Sequence, residues 1–65
     1  MSVAKVLEII AEGKTIDDAI GDAAKEAAKS VRNVRSVNVE NIQALVDGGK
    51  VKSYRVNCKV TFIID

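Results

Sequence analysis

Within residues 51 to 64, VKSYRVNCKVTFII, the run from Ser53 to Phe62 alternates without a break. Tyr54, Val56, Cys58, Val60, Phe62 and Ile64 fall on one phase, and Ser53, Arg55, Asn57, Lys59 and Thr61 on the other. That is the period-two pattern of a strand with one buried face. Such a strand needs strand neighbours along its edges and an apolar layer over its Tyr54 to Ile64 phase.

The layer is supplied by TIDDAIGDAAKEAAKSV, residues 15 to 31. Ile16, Ala19, Ile20, Ala23, Ala24, Ala27, Ala28 and Val31 recur at intervals of three and four and so share one face of an amphipathic helix. Thr15 is placed to cap its start, with Asp18 three residues on, and Asp17 and Asp18 suit the positive end of the helix dipole. Lys29 and Arg32 suit the other end. A stripe made mostly of alanine lets the helix axis come close to a flat partner, and the sheet is the flat partner available.

VDGGK, residues 46 to 50, joins the long strand to the one before it, because two glycines provide the positive φ that a tight hairpin needs. The preceding strand, from about Val34 to Val46, carries apolar residues at Val37 and Val39 and then at Ile42, Ala44 and Val46. Its phase changes near Glu40 and Asn41, which predicts a bulge or bend. VAKVLEIIA, residues 3 to 11, is apolar on both phases apart from Lys5 and Glu8. It reads as a strand covered on both faces or as an edge strand meeting another chain, with Gly13 closing it. The order is strand, helix, strand, strand. If the helical crossover sets the first two strands in the same direction, the third lies between them and pairs antiparallel with both. The fold class is α+β: a β-α-β-β chain whose three-stranded curved antiparallel sheet, third strand central, wraps around one helix.

Sixty-five residues is near the lower limit for independent folding. Apolar residues make up 48% of the chain but aromatics only 3%, so nothing large fills the core. One cysteine excludes an internal disulfide, and the lack of histidine leaves no ordinary zinc site. Self-association is the remaining common staple. No apolar run approaches the roughly 20 residues of a membrane span, and residues 1 to 11 lack the layout of a signal peptide, so a cytoplasmic protein with no membrane partner is expected. The net charge of +1 exerts no general pull on nucleic acid. Three Lys face six acids in residues 1 to 28, and seven Lys or Arg face three acids in residues 29 to 65. That asymmetry suits either head-to-tail packing of copies or a solvated surface.

Signals of catalysis are missing. Without histidine there is no Ser-His or Cys-His nucleophile arrangement, so an enzyme is not expected. Asp17, Asp18 and Asp22 lie on the solvent face of the helix, where starting the helix and solubility account for them. DGGK has neither the spacing nor the following Ser or Thr of a phosphate loop. Cys58 shares its phase with Val56 and Val60 and reads as a small buried hydrophobe. Lys29, Arg32 and Arg35 form a basic run that Lys52 and Arg55 could join around a phosphate. Tyr54 and Phe62 are both on the apolar phase, so the stacking platform of a single-strand nucleic-acid binder is absent and no nucleic-acid partner is expected.

KVLEI at residues 5 to 9, TIDDAIGDAAKEAAKSVRNV at 15 to 34 and GKVKSYRVNCKVTFIID at 49 to 65 together resemble the dodecin family of small flavin-binding proteins. The resemblance implies a single dodecin-like domain over residues 1 to 65. It also implies a hollow homododecamer built from trimers, with flavin, as riboflavin or flavin mononucleotide (FMN), stacked in pockets where protomers meet. Storage or sequestration of the small molecule is implied, not turnover.

By the same resemblance, a tryptophan two residues after the Asn33-Val34 step stacks on the flavin ring, and Ser36 stands there. A glutamine after the tyrosine of the last strand is the other ring partner, and Arg55 stands there. Leu45 occupies an acidic position that contacts the ligand's sugar-alcohol chain. A serine hydroxyl has no ring face, and by analogy with base stacking each lost plane is worth roughly 1–3 kcal/mol. Tight flavin binding of the family's usual kind is therefore not expected. The expectation is a dodecin-like, non-enzymatic binding and storage protein in a hollow homo-oligomer, its pocket lined by Ser36, Arg55 and Leu45. If Arg55 and Arg35 line that pocket they favour an anionic ligand. A purely structural or ion-binding assembly module without flavin is the alternative.

Overall fold

The computed structural model describes residues 3 to 64. Met1, Ser2 and Asp65, the ends of the domain expected over residues 1 to 65, lie outside the described residues. The elements are β1 (Val3–Gly13), α1 (Ile16–Ser30), β2 (Val34–Asp47) and β3 (Lys50–Ile64). The sheet order is β1-β3-β2, with β3 antiparallel to both neighbours. The β-α-β-β order and the central third strand are as the sequence pattern requires.

Helix α1 starts where its side chains can satisfy its first amides. Thr15 is extended, and its hydroxyl accepts from the Asp18 backbone N–H at 3.0 Å. Asp17 and Asp18 occupy the first turn and Lys29 the last, each complementing the dipole. At the far end the Val31 N–H donates to the Ala27 carbonyl at 3.0 Å. Asn33 then takes a left-handed φ of 61°, which asparagine tolerates better than most residues, and its carbonyl accepts from the Ile63 N–H at 3.1 Å. That bond ties the start of β2 to the end of β3.

Ala19, Ala23 and Ala27, four residues apart on α1, are fully buried against Val56, Cys58 and Val60, two apart on β3. Leu7, Ile9, Ala11, Ile20, Val34, Val37 and Val39 pack around these six. The expected apolar face is trimmed at both ends: Ile16 is 37% exposed and Ala28 is also exposed. The helix is also short against the strand it lies on. Fifteen helical residues span about 22 Å, whereas fifteen residues of strand span about 50 Å. The helix therefore covers less than half of the long axis of β3.

Gly48 and Gly49 both have positive φ, 59° and 76°, and make a two-residue turn between Asp47 and Lys50. Three residues stand outside the ladder: Arg35, Glu40 and Lys52, at register shifts between Val34 and Ser36, between Val39 and Asn41, and opposite the step from Leu45 to Val46. The bulge at Glu40 is where the hydrophobic phase changes. Each bulge adds local twist and helps the sheet to curl.

Core burial is thin. The accessible surface is 4672 Å², against about 4,000 Å² for a typical folded monomer of this mass. The radius of gyration is 13.3 Å, against about 11 Å for a compact domain of this length. The edge strand β1 exposes Val3, Val6 and Ile10, and the hairpin exposes Val46 and Val51, each by more than half.

Candidate functional site

Directly paired residues of an antiparallel sheet point to the same face. The register therefore assigns every strand position either to the face under α1 or to the opposite, outer face. Ser36 pairs with Thr61, Gln43 with Arg55 and Leu45 with Ser53, and Glu12 of β1 also pairs with Arg55. Thr61, Arg55 and Ser53 are out of phase with the buried Val56, Cys58 and Val60. Ser36, Arg55 and Leu45 thus share the outer face.

They do not converge. Leu45 and Arg55 are diagonal neighbours, since Ser53 and Arg55 are consecutive outer positions of β3. Ser36 lies six residues along β3 from Arg55, about 20 Å at strand rise. Ser36 is exposed, whereas Leu45 and Arg55 are partly covered. The basic cluster considered from the sequence divides in the same way. Arg35 sits beside Ser36 at one end of β3, and Lys52 and Arg55 sit toward the hairpin. No single phosphate reaches both groups.

Around Arg55 the outer face is polar and internally paired. Its Nε and Nη2 donate to Glu12 Oε2 at 3.1 and 3.0 Å, and its Nη1 donates to Gln43 Oε1 at 3.4 Å. One guanidinium therefore links all three strands. Both members of the ion pair are about half exposed, at 43% and 52% of their side chains, so it contributes at most about 1 kcal/mol to stability. Further along, Lys59 Nζ lies 3.4 Å from Glu40 Oε1, and Asn38 donates to the other oxygen of Glu40. Glu8 pairs with Lys59 in the register. The Asn57 side-chain carbonyl oxygen, between Ile10 and Asn41, is covered and has no hydrogen-bond partner.

Glu12 and Gln43 were not singled out by sequence reasoning. Counting back evenly from the Gly48-Gly49 turn would set Gln43 opposite Tyr54. The bulge at Lys52 moves it to Arg55. Glu12 is separated from Arg55 by the whole helix and β2, and nothing local encodes that pairing.

A concavity of about 380 Å³ runs between β1 and α1 and is bordered by Ile9, Ile10, Glu12, Asp22, Lys25 and Lys29 among others. It contains none of the three expected pocket residues. Burial pushes the Cys58 thiol above its ordinary value, in keeping with a packing role. No cluster of three or more metal-ligating side chains occurs among the described residues, and no helix there is long and apolar enough to cross a membrane.

One chain thus offers a flavin ring no aromatic plane at Ser36, an apolar side chain at Leu45 and an arginine already engaged at position 55. These residues do not fit the ring sandwich expected from the resemblance.

The dodecin family model matches residues 3–65. A crystal structure of a T. thermophilus dodecin mutant is similar to this chain with TM-score 0.91 at 26% identity, covering 100% of this chain and 98% of that one. A second T. thermophilus dodecin mutant gives 0.90 at 26% identity, with 100% and 97% covered. The dodecin from Streptomyces davaonensis gives 0.89 at 22% identity over 98% and 96% of the two chains, a likeness of fold. No curated protein sequence matches the chain.

Proposed function

The chain belongs to the dodecin family, and from that membership we propose that it is a non-enzymatic small-molecule binding and storage protein acting as a hollow homododecamer built from trimers. Dodecins are small flavin-binding proteins. In this chain the ligand is held where copies meet over the outer face of the sheet, in a pocket that draws on Ser36, Leu45 and Arg55. The protein is expected in the cytoplasm.

The observation that carries this reading is the separation of Ser36 from Arg55. Both are on the outer face, yet about 20 Å of β3 lies between them, so a pocket using both must take them from different copies. Assembly and binding are then one event. The exposed Val6 and Ile10 on the same face, and the surface in excess of a typical monomer, support contact with other copies.

Flavin is not held tightly. Ser36 lacks the stacking plane, and Arg55 is already bonded to Glu12. Titration of riboflavin followed by flavin fluorescence tests this. Weak quenching, confined to protein concentrations at which the assembly persists, is predicted. Tight binding by a dissociated single chain would overturn the reading.

A further inference from the structure

Arg55 invites the conclusion that the pocket selects anions, but its surroundings argue otherwise. Two of its nitrogens reach one oxygen of Glu12 at 3.0 and 3.1 Å, and a third faces the Gln43 side-chain carbonyl at 3.4 Å. A carboxylate therefore already occupies the place on the guanidinium that a ligand phosphate would take. Lys52, three residues from Arg55, stands outside the ladder at its bulge and out of phase with the outer positions of β3. Lys59 is the next basic residue along the outer side of β3, and Glu40 holds it at 3.4 Å while Glu8 faces it across the ladder. Arg35 is six to seven residues away along the sheet, about 20 Å, beyond useful range at physiological ionic strength. The three outer-face rows from Glu8 to Glu12, with the bulged Glu40 beside them, hold three carboxylates, Glu8, Glu12 and Glu40, against Lys59 and Arg55.

We propose that Glu12 sets the charge class of the ligand: with its carboxylate on the Arg55 guanidinium, position 55 presents an ion pair of no net charge and takes an uncharged polar ring. Without that carboxylate the same place becomes a seat for a phosphate. Glu12 acts through Arg55 and is a specificity-determining residue. Its extension to the ligand rests on the reading that position 55 lines the pocket, whereas its effect on Arg55 does not.

Inorganic pyrophosphate is the probe for that effect, measured by isothermal titration calorimetry on the intact assembly. Glu12→Gln, isosteric and at a half-exposed position, should bind pyrophosphate at least about tenfold more tightly than the natural chain, because a charge-assisted acceptor is replaced by a neutral one. Glu12→Asp should retain the natural behaviour, and Glu12→Gln with Arg55→Gln should lose the gain, locating it at Arg55. Equal pyrophosphate binding by the natural chain and Glu12→Gln would overturn the inference. So would a gain that survives Arg55→Gln.

A second arm separates the pocket from the charge. With Ser36→Trp present to restore a stacking plane, Glu12→Gln should weaken riboflavin binding by about tenfold, because a guanidinium without its carboxylate then faces the uncharged ring. A gain in pyrophosphate binding with unchanged riboflavin affinity would leave Glu12 in control of Arg55 but remove position 55 from the pocket, overturning the extension to the ligand.

Discussion

A Cβ placed on Gly13 would lie 2.6 Å from the backbone nitrogen of Ala19 and 2.9 Å from the Asp18 Cβ. The end of β1 and the first turn of α1 are in contact with no room for a methyl group. Backbone on one side of that contact cannot swing away as a long side chain could. Gly13→Ala is therefore predicted to destabilise the fold by about 1–3 kcal/mol, more than the ~0.4–1 kcal/mol that reduced freedom of the unfolded chain returns. A lower urea midpoint at unchanged slope is the expected readout.

The middle of the helix obeys the same constraint. Ala23 is fully buried, between Ala19 and Ala27 on the face that meets Val56, Cys58 and Val60. Ala23→Leu should lift α1 from the sheet and cost about 1–3 kcal/mol in urea unfolding, although leucine is the more hydrophobic residue. A comparable increase at the exposed Ala28 should change stability by no more than about 0.5 kcal/mol in the same measurement.

Cys58 gives the fold a pH dependence of known sign. Burial raises the thiol above its ordinary value in the folded chain. In the alkaline range the unfolded thiol releases its proton first, so the folded state binds more protons than the unfolded one and stability falls with rising pH. The contribution of Cys58 is complete below the ordinary thiol value and diminishes above it. Subtracting the urea stability of Cys58→Ala from that of the natural chain, from neutral pH to about pH 10, should give a difference that shrinks as pH rises. A constant difference would mean that the thiol ionises equally in both states.

Restoring the two expected ring partners tests how far the remaining pocket has been kept. Ser36→Trp with Arg55→Gln should produce flavin fluorescence quenching, with a gain of roughly 1–3 kcal/mol per restored plane. Arg55→Gln also releases Glu12, so the single variants are needed to apportion the effect. No gain in the double variant would show that the shape between copies has diverged along with the side chains.

Much of the fold is legible because its patterns are local. The alternation from Tyr54 to Ile64 marks β3, the spacing of Ala19, Ala23 and Ala27 marks α1, and Gly48 with Gly49 marks the turn. The phase change at Glu40 even locates a bulge. At the other two bulges, Arg35 and Lys52, the alternation also breaks, in Val34-Arg35-Ser36-Val37 and Val51-Lys52-Ser53-Tyr54, but close to strand ends, where a break reads as the end of the strand. A one-residue shift in register moves side chains to different partners and faces. The sequence therefore shows Arg55 on the polar face but not the Glu12 and Gln43 beside it, whereas an even count from the turn does set Ser36 opposite Thr61, far from Arg55. The three pocket positions rest on the resemblance, and the charge balance around Arg55 is visible only in the register.

The central claim is that binding belongs to the assembly, and native mass spectrometry of the protein as isolated from cells tests it most directly. Gentle ionisation followed by denaturation reports both the number of chains and any small molecule they release. The account predicts a particle of twelve 7.0 kDa chains that releases an uncharged small molecule. A monomer or dimer, especially one carrying the ligand alone, would contradict it.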